Sequence, residues 1–303
     1  MRVVIRSLSS LVLAATALSA QKPADPRSAL VVSTAWLAQH LKDPNLVVLF
    51  LGDDNEYNRS HIPGSYNVQI EDFAYDTAGL SLQVLPPEKL RDKLGSFGIT
   101  NNSKIVVAHG KDFLEYATRM ILTLDRAGFG DRTSFLDGGT AAWLKESREV
   151  NATIPVKRQS ALTALQLKPV IADADFVKAH VGKSGNAVVD GRAPVFYDGT
   201  QAGGDRNSPH RSGHIAGAKS IPYNSLYNSD GYLRPTAELQ SLFAKAGVAP
   251  SDTVLGYCHI GLQATAMLFA ARVLGHPVRL YDGSFEDWSA HAPAAYPVEL
   301  TKR

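Results

Sequence analysis

Short apolar runs alternate along the chain with stretches in which apolar residues recur every three to four positions. The continuous runs are typical of strands covered on both faces of a sheet: LVVLFL, KIVVAH, SFLD, AVVD, TVLGYC and RLYD. The stretches TAWLAQHL and ADFVKAHV have helical spacing, and Ser33 and Asp173 stand before them as N-cap residues. Strands alternating with helices predict an α/β fold with mostly parallel sheets flanked by helices.

The same order of elements occurs twice. Residues 31–57 align without a gap on residues 171–197, and three further blocks repeat in the same order, ending in FLDGGTAAW and LYDGSFEDW. Chance similarity would not preserve that order, so we predict a duplicated domain, with domain 1 at 31–150 and domain 2 at 170–300. Segment 151–169 carries two prolines and has no counterpart within a copy, and it is the predicted linker.

The first residues form a segment of their own. Arg2 and Arg6 precede an apolar stretch, and small residues follow up to Ala20, which is the layout of a secretory signal over residues 1–20. The apolar stretch is shorter than the ~20 residues that span a bilayer. We therefore expect export to the periplasm or the extracellular space, with no membrane insertion after removal of the signal.

The charged residues are balanced, with 31 Lys and Arg against 29 Asp and Glu and a formal charge of +2. The chain has no long basic run or basic-aromatic interleaving, so nucleic acid is not a predicted partner.

The chain has a single cysteine, Cys258, which cannot form an internal disulfide. It stands after the predicted strand TVLGY and before a helical pattern that starts near Leu262, at the sheet edge where open parallel sheets bind ligands. An isolated cysteine is often an inert buried residue. A strand-to-helix turn at this point would instead surround the sulfur with backbone N–H groups and a helix N-terminus, which stabilise a thiolate, and Gly261 suits a turn with positive φ. The predicted cradle comprises His259, Ile260, Gly261, Leu262 and Gln263.

The cradle geometry also fits a cysteine phosphatase, which needs an arginine in the sixth place after the cysteine to hold phosphate bidentately. Ala264 occupies that place, and this argues against phosphoryl transfer.

Four motifs stand in order in the second copy: DGR at 190–192, RSGHIAGA, CHIGLQA and YDGSFEDW. On these motifs the chain resembles the tandem-domain rhodaneses, a family of sulfurtransferases. The resemblance implies two tandem rhodanese-like domains and a Cys258 persulfide that carries sulfur from a small-molecule donor, thiosulfate or 3-mercaptopyruvate, to a thiophilic acceptor such as cyanide or a thiol. It implies no metal or organic cofactor, and we expect a monomer. The alternative is a non-catalytic binding or sensing module with an incidental thiol.

Domain 1 lacks the corresponding chemical groups, since alignment places His109 at the cysteine position, Phe50 at Asp190 and Gly52 at Arg192. We predict that domain 1 is catalytically silent and forms a wall of the cleft, although a role for His109 as an acid or base stays open.

Asp190, Arg192 and Arg211 are the predicted substrate-binding or orienting residues, and a structural salt bridge is the alternative for Asp190 and Arg192. The donor-binding arginine that well-known tandem members carry corresponds here to Phe196, so Arg206 or Arg211 is a candidate replacement.

Overall fold

The structure is a computed structural model that describes residues 25–77, 79–156, 159–160, 162–204 and 209–301. The predicted signal at 1–20 lies outside the described residues, as does Arg206. Within the described part of the chain, no helix has both the length and the apolarity needed to cross a membrane.

The first half carries strands and helices in alternation. Its strands are β1 (Val31–Val32), β2 (Leu46–Leu51), β3 (Tyr66–Asn67), β4 (Ala74–Thr77), β5 (Leu80–Val84), β6 (Lys104–His109) and β7 (Thr133–Leu136). Its helices are α1 (Pro26–Leu30), α2 (Thr34–His40), α3 (Asp54–Arg59), α4 (Pro87–Ser96), α5 (Leu114–Arg126) and α6 (Gly139–Lys145), with 3₁₀ turns at Ile70–Phe73 and Gly130–Arg132.

The second half repeats the alternation. Its strands are β8 (Ile171–Ala172), β9 (Asn186–Asp190), β10 (His214–Ile215), β11 (Lys219–Ser220), β12 (Thr253–Tyr257), β13 (Val278–Tyr281) and β14 (Val298–Glu299). Its helices are α7 (Ala174–His180), α8 (Pro194–Tyr197), α9 (Thr236–Lys245), α10 (Gln263–Val273) and α11 (Ser284–Ala290), with a 3₁₀ turn at Tyr223–Leu226. Between the halves, the described residues of segment 151–169 contain no helix or strand.

Each half contains a five-stranded sheet in which all neighbours are parallel. The strand orders are β1-β7-β6-β2-β3 and β8-β13-β12-β9-β11, so the two sheets have the same topology. Register also agrees, since Phe50 pairs with Ala108 in the first sheet and Asp190 pairs with Tyr257 in the second. The predicted α/β fold is confirmed, and the register supports the alignment of His109 with Cys258.

The predicted N-caps form as expected. The Ser33 side chain accepts from the Trp36 N–H at 3.1 Å, and the Asp173 side chain accepts from the Phe176 N–H at 2.8 Å. Each bond satisfies one N–H that the first turn of a helix leaves without an intrahelical partner, which fixes where α2 and α7 begin.

The two halves share one hydrophobic core across α5 and α10. The Phe135 ring of β7 lies 5.3 Å from the Phe269 ring of α10, and the hydroxyls of Thr118 and Thr265 are 2.9 Å apart where the helices face each other. Nearly all residues of α10 are buried because α5 covers the side opposite the sheet. A buried side chain such as Phe269 contributes about 1.5–3 kcal/mol, so the contact between the halves is an integral part of the fold.

Candidate active site

Cys258 follows the central strand of the second sheet. β12 ends at Tyr257 between β9 and β13, and α10 begins at Gln263, so residues 258–262 form the predicted turn from strand to helix. Cys258 is a free thiol with 1% of its surface exposed. Gly261 has φ +78°, where a Cβ would lie 2.8 Å from the Asp282 carbonyl oxygen, so both its backbone conformation and its surroundings require glycine.

The carbonyl groups of this loop are held on its outer side by three donors. The Cys258 carbonyl accepts from the Phe285 N–H at 3.1 Å, and the His259 carbonyl accepts from the Glu286 N–H at 3.0 Å. The Gly261 carbonyl accepts from Nη1 of Arg119 at 2.9 Å.

In a planar trans peptide the C=O and the N–H point in opposite directions. The anchored carbonyls therefore direct the N–H groups of His259, Ile260 and Leu262 to the inner side of the loop. These three N–H groups find no acceptor within the described part of the chain. Together with the N-terminus of the 11-residue helix α10, they form a cradle that favours a negative charge on sulfur.

Ser284 completes the support of Cys258. Its Oγ accepts from the Cys258 N–H at 3.2 Å and donates to the Tyr281 carbonyl at 2.9 Å, and its side chain is fully buried. Ser284 has a left-handed backbone with φ +51°, whereas the matching position in domain 1 is Gly139 at φ +56°. The sequence contains a signal for this role, because DGS stands in domain 2 where DGG stands in domain 1.

Asp190 and Arg192 lie at the end of β9 and form a buried ion pair beside the loop. Nη2 of Arg192 is 2.6 Å from Oδ2 of Asp190, and Nε lies 3.0 and 3.1 Å from the two carboxylate oxygens. Nη2 also donates to the Gly213 carbonyl at 2.8 Å, and the guanidinium lies 4.0 Å from the centre of the Phe285 ring. Asp190 and Arg192 therefore lie at the site, as predicted, and their contacts with each other, Gly213 and Phe285 also hold the surrounding backbone and ring in place.

Both the burial and the charges around Arg192 affect its pKa. Burial alone would lower the pKa of Arg192, but the hydrogen bond and charge of Asp190, together with Cys258, raise it. Arg192 is therefore a permanent cation whose charge acts on the Cys258 sulfur. A direct contact of Arg192 with substrate stays a prediction.

Arg211 lies in a different environment. Its Nη1 donates to the Tyr296 carbonyl at 2.8 Å, its Nη2 donates to the Trp288 carbonyl, and its backbone N–H donates to Ser289 Oγ. Burial lowers the pKa of Arg211. These contacts tie the turn that precedes β10 to the end of α11, and the proposed substrate contact of Arg211 stays a prediction.

A cleft of about 760 Å³ opens beside the loop. Domain 1 contributes Ser81 to its wall, which agrees with the predicted role of that domain. Domain 2 contributes Phe196, Gln201, Ala202, Gly203, Gly204, His210, His259, Ile260 and Glu286.

His259 lines this cleft as a neutral side chain. Its ring packs edge-to-face on the Phe196 ring with 4.5 Å between centroids. Burial, followed by the charges of Arg192 and His210, lowers the pKa of His259 to about 4. At pH 7 the side chain next to Cys258 therefore offers hydrogen bonds and carries no positive charge.

Domain 1 reaches the site through two segments that the sequence did not reveal. In the β4–β5 hairpin, the Val84 N–H donates to Asp282 Oδ2 at 3.0 Å, and Ser81 donates from its N–H and its hydroxyl to Glu286. In α5, Arg119 bonds to the Gly261 carbonyl. Asp282, in the DGS turn of domain 2, thus anchors the hairpin of domain 1.

The equivalent loop of domain 1 holds His109. Its Nδ1 is 2.9 Å from the Gly110 carbonyl oxygen, and its ring stacks on Phe135 with 5.4 Å between centroids. Burial lowers the pKa of His109, so the ring is neutral and hydrophobically packed at pH 7. Among the described residues, no side-chain cluster with metal-ligand composition was found.

Known proteins resemble the chain over nearly all of its length. The rhodanese-like domain family matches residues 33–146 and 173–291. Thiosulfate sulfurtransferase of Rattus norvegicus is 30% identical over 287 residues, covering 90% of this chain and 96% of the rat protein. The sulfur carrier protein TtuD of Thermus thermophilus is 27% identical over 269 residues, covering 86% of this chain and 93% of TtuD.

The fold is also that of a solved protein. The crystal structure of YnjE superposes with a TM-score of 0.81 at 22% identity, covering 93% of this chain and 70% of YnjE. The repeated sheets, the strand-to-helix loop around Cys258 and the two matched segments agree on one assignment. The chain belongs to the rhodanese family, with two rhodanese-like domains in tandem.

Proposed function

We propose that the protein is a sulfurtransferase that carries sulfane sulfur as a persulfide on Cys258, with thiosulfate as its donor and 3-mercaptopyruvate as the second candidate. The observation that carries the proposal is the Cys258 loop, in which three anchored carbonyls turn N–H groups inward around the sulfur. The names of the relatives support sulfur transfer as the class of reaction.

The first half-reaction loads the enzyme. The Cys258 thiolate attacks the outer sulfur of thiosulfate, the sulfur–sulfur bond of the donor breaks, and its electron pair leaves with sulfite. The product is a persulfide whose terminal sulfur is an anion, and the inward N–H groups stabilise that anion as they stabilise the thiolate. With 3-mercaptopyruvate the carbon–sulfur bond of the donor breaks, and its electron pair and the proton of the donor's thiol end on that carbon, which gives pyruvate.

The second half-reaction unloads it. Cyanide or a thiol attacks the terminal sulfur, the persulfide bond breaks, and the electron pair returns to Cys258 as the thiolate. With cyanide the product is thiocyanate. Electrons balance within each step, so the proposal requires no oxidant, reductant or prosthetic group.

The surroundings of the cleft bear on the donor. Glu286 contributes a carboxyl group to the wall of the cleft, and His259 is neutral. Phe196 stands where an arginine would bind an anionic donor. Arg192 supplies a positive charge from beneath the loop. We expect thiosulfate to bind weakly, with a KM set by the field of Arg192 and by the N–H groups of the loop.

The test is mass spectrometry of the intact protein after incubation with thiosulfate or 3-mercaptopyruvate, followed by cyanide. The expected result is a gain of one sulfur atom that cyanide removes as thiocyanate. Cys258→Ser is the control and should gain none. Absence of uptake from both donors, or uptake that persists in Cys258→Ser, would refute the proposal.

Steady-state rates with each donor then assign the substrate. The donor with the higher kcat/KM is the better one, and Phe196→Arg should improve thiosulfate more than 3-mercaptopyruvate because thiosulfate carries the larger negative charge. A non-catalytic binding module would show negligible thiocyanate formation in the native protein.

We also propose that residues 1–20 direct export and that the mature protein is a monomer in the periplasm or outside the cell. The layout of basic, apolar and small residues in that segment supports export. N-terminal sequencing of the protein from fractionated cells would find a start near Gln21. An unprocessed chain in the cytoplasm would contradict export, and light scattering of the purified protein checks the monomer.

A further inference from the structure

Arg119 is a fully buried arginine in helix α5 of domain 1, with 1% of its surface exposed. Its Nη1 donates to the Gly261 carbonyl at 2.9 Å, and its Nη2 donates to the Leu82 carbonyl at 2.6 Å. Nη2 also lies 2.6 Å from Oδ1 of Asp282 as an ion pair. One guanidinium from the silent domain thus joins the loop of Cys258, the β4–β5 hairpin and the DGS turn.

The contact has no mirror image in the other half. Thr118 and Thr265 occupy equivalent places on α5 and α10, so the position equivalent to Arg119 is Ala266. Arg119 of domain 1 therefore reaches the loop of Cys258, whereas Ala266 at the equivalent position of domain 2 has no side chain that could reach the loop of His109.

The first half has a related arginine, Arg27, whose contacts within the described part of the chain involve its DG turn and not the loop of His109. Arg27 donates from Nη1 to the Arg234 carbonyl at 2.7 Å and from Nη2 to the Leu233 carbonyl at 3.0 Å. Nη2 also lies 3.6 Å from Oδ2 of Asp137, the counterpart of Asp282. Arg27 makes the same kinds of contact at a more exposed position, with 22% of its side chain exposed, and it serves as the control.

The Gly261–Leu262 peptide is the part of the cradle that depends on Arg119. The other anchored carbonyls, of Cys258 and His259, accept from backbone N–H groups of α11, whereas the Gly261 carbonyl accepts from this side chain. Glycine permits both signs of φ, so its own conformation does not hold the peptide plane. The bond from Arg119 fixes that plane and, through the planarity of the peptide, directs the Leu262 N–H to the inner side of the loop. A charged donor on the carbonyl also polarises the same peptide and strengthens its N–H as a donor.

We propose that Arg119 is a positioning residue for sulfur transfer, through which the silent domain sets the reactivity of Cys258. The inference rests on the proposed function, because it assigns Arg119 to the persulfide chemistry of the same loop. Arg119 acts through the Gly261–Leu262 peptide and does not touch the sulfur itself.

The test compares Arg119→Lys with Arg27→Lys in the full-length protein. Lysine keeps the positive charge beside the aspartate, but a single ammonium cannot reproduce the planar fork that reaches both carbonyls. The double variant Arg119→Met with Asp282→Asn removes the pair together, and it covers the case in which Arg119→Lys does not fold.

The first readout is the pH dependence of Cys258 alkylation by iodoacetamide, which needs no sulfur donor. Loss of an inward N–H disfavours the thiolate, so the midpoint of the profile should move to higher pH in Arg119→Lys and stay in place in Arg27→Lys. Arg192 and Tyr223 also face the thiol, and both are unchanged in these variants. A purely structural role of Arg119 would lower stability without moving this midpoint.

The second readout is the rate of sulfur uptake from thiosulfate. Removing one preorganised donor costs about 100- to 1,000-fold in other enzymes, and a misdirected donor should cost about 10- to 100-fold here. The proposal is overturned if Arg119→Lys, or the double variant where the single one is unfolded, matches Arg27→Lys in both readouts. If the native protein takes up no sulfur, the proposed function fails, and the alkylation profiles still decide whether Arg119 controls the thiol.

Discussion

Ser284 offers a quantitative check on how the Cys258 loop is built, because its side chain and its backbone contribute with opposite signs. Its Oγ accepts from the Cys258 N–H and donates to the Tyr281 carbonyl, while its φ of +51° is unfavourable for a residue with a Cβ. Ser284→Ala removes the hydroxyl and keeps the strained backbone. Ser284→Gly removes the hydroxyl and relieves the strain.

The expected free energies follow from these contacts. Loss of the hydroxyl leaves a buried N–H without its acceptor, which costs about 1–3 kcal/mol in both variants. A left-handed backbone costs a residue with a Cβ about 1–2 kcal/mol, and glycine avoids this strain. Glycine also loses more conformational freedom on folding, which destabilises the folded state by about 0.5–1 kcal/mol and offsets part of the gain. Ser284→Gly should therefore be more stable than Ser284→Ala by about 1 kcal/mol, although both are less stable than the native protein.

Urea unfolding followed by tryptophan fluorescence measures the difference, provided that the slopes of the variants agree. Sulfur uptake should fall to a similar extent in both, because each loses the oxygen that holds the Cys258 N–H. Gly139→Ser tests the equivalent turn of domain 1, where a Cβ would lie 2.5 Å from the His109 carbonyl oxygen, and it should be strongly destabilising. If Ser284→Ala equals or exceeds Ser284→Gly in stability, or keeps native uptake, the interpretation of this turn is wrong.

Further predictions concern charged groups and histidines. The unfolded chain protonates His259 near pH 6.5 and the folded chain only near pH 4, so stability should fall as pH drops through that interval, by less than about 1.4 kcal/mol per pH unit because the ring is partly exposed. His259→Gln should flatten this dependence in urea unfolding at pH 7 and pH 5, and an unchanged slope would contradict the lowered pKa. Asp190→Asn should cost about 3–5 kcal/mol in unfolding free energy by leaving Arg192 buried without its partner, and the double variant Asp190→Asn with Arg192→Met should cost less; a double variant that loses as much stability as the single one would contradict the cost assigned to the unpaired Arg192. His109→Gln should leave the rate of thiocyanate formation unchanged, and a large loss would give domain 1 a chemical role.

The fold could be predicted from the sequence because two signals agreed. Apolar runs marked the strands, and the alignment of the two copies placed His109 opposite Cys258, which the sheet register then matched. The position of Cys258 at a strand end and the need for glycine at Gly261 were also predictable, since both depend on neighbours in the chain. A pattern of this kind reports local geometry well because the strand, the turn and the helix are consecutive.

The supports of the site could not be predicted in the same way, because they come from distant parts of the chain. Arg119 lies 142 positions before Gly261, and Ser81 lies 205 positions before Glu286. Nothing in the local pattern pairs these residues, since the pairing follows from how α5 and the β4–β5 hairpin meet domain 2. A comparison of the copies gives a partial signal, because Arg119 and Ser284 occupy positions where the other copy has Ala266 and Gly139.

The two halves exchange the same kind of contact, and this explains why a copy without a nucleophile remains part of the site. The Val84 N–H of domain 1 binds Asp282 of domain 2, and the Leu233 N–H of domain 2 binds Asp137 of domain 1. Each DG turn is therefore completed by a segment of the other half, and neither half has all the partners of its own aspartate, of which Asp282 is buried and Asp137 is partly buried. Because a carboxylate removed from water without partners is costly, each half stabilises the DG turn of the other. At Asp282 the contacts extend further, because Arg119 pairs with Asp282 and also binds the Gly261 carbonyl in the loop of Cys258. The contacts between the halves therefore also position the reactive sulfur of domain 2.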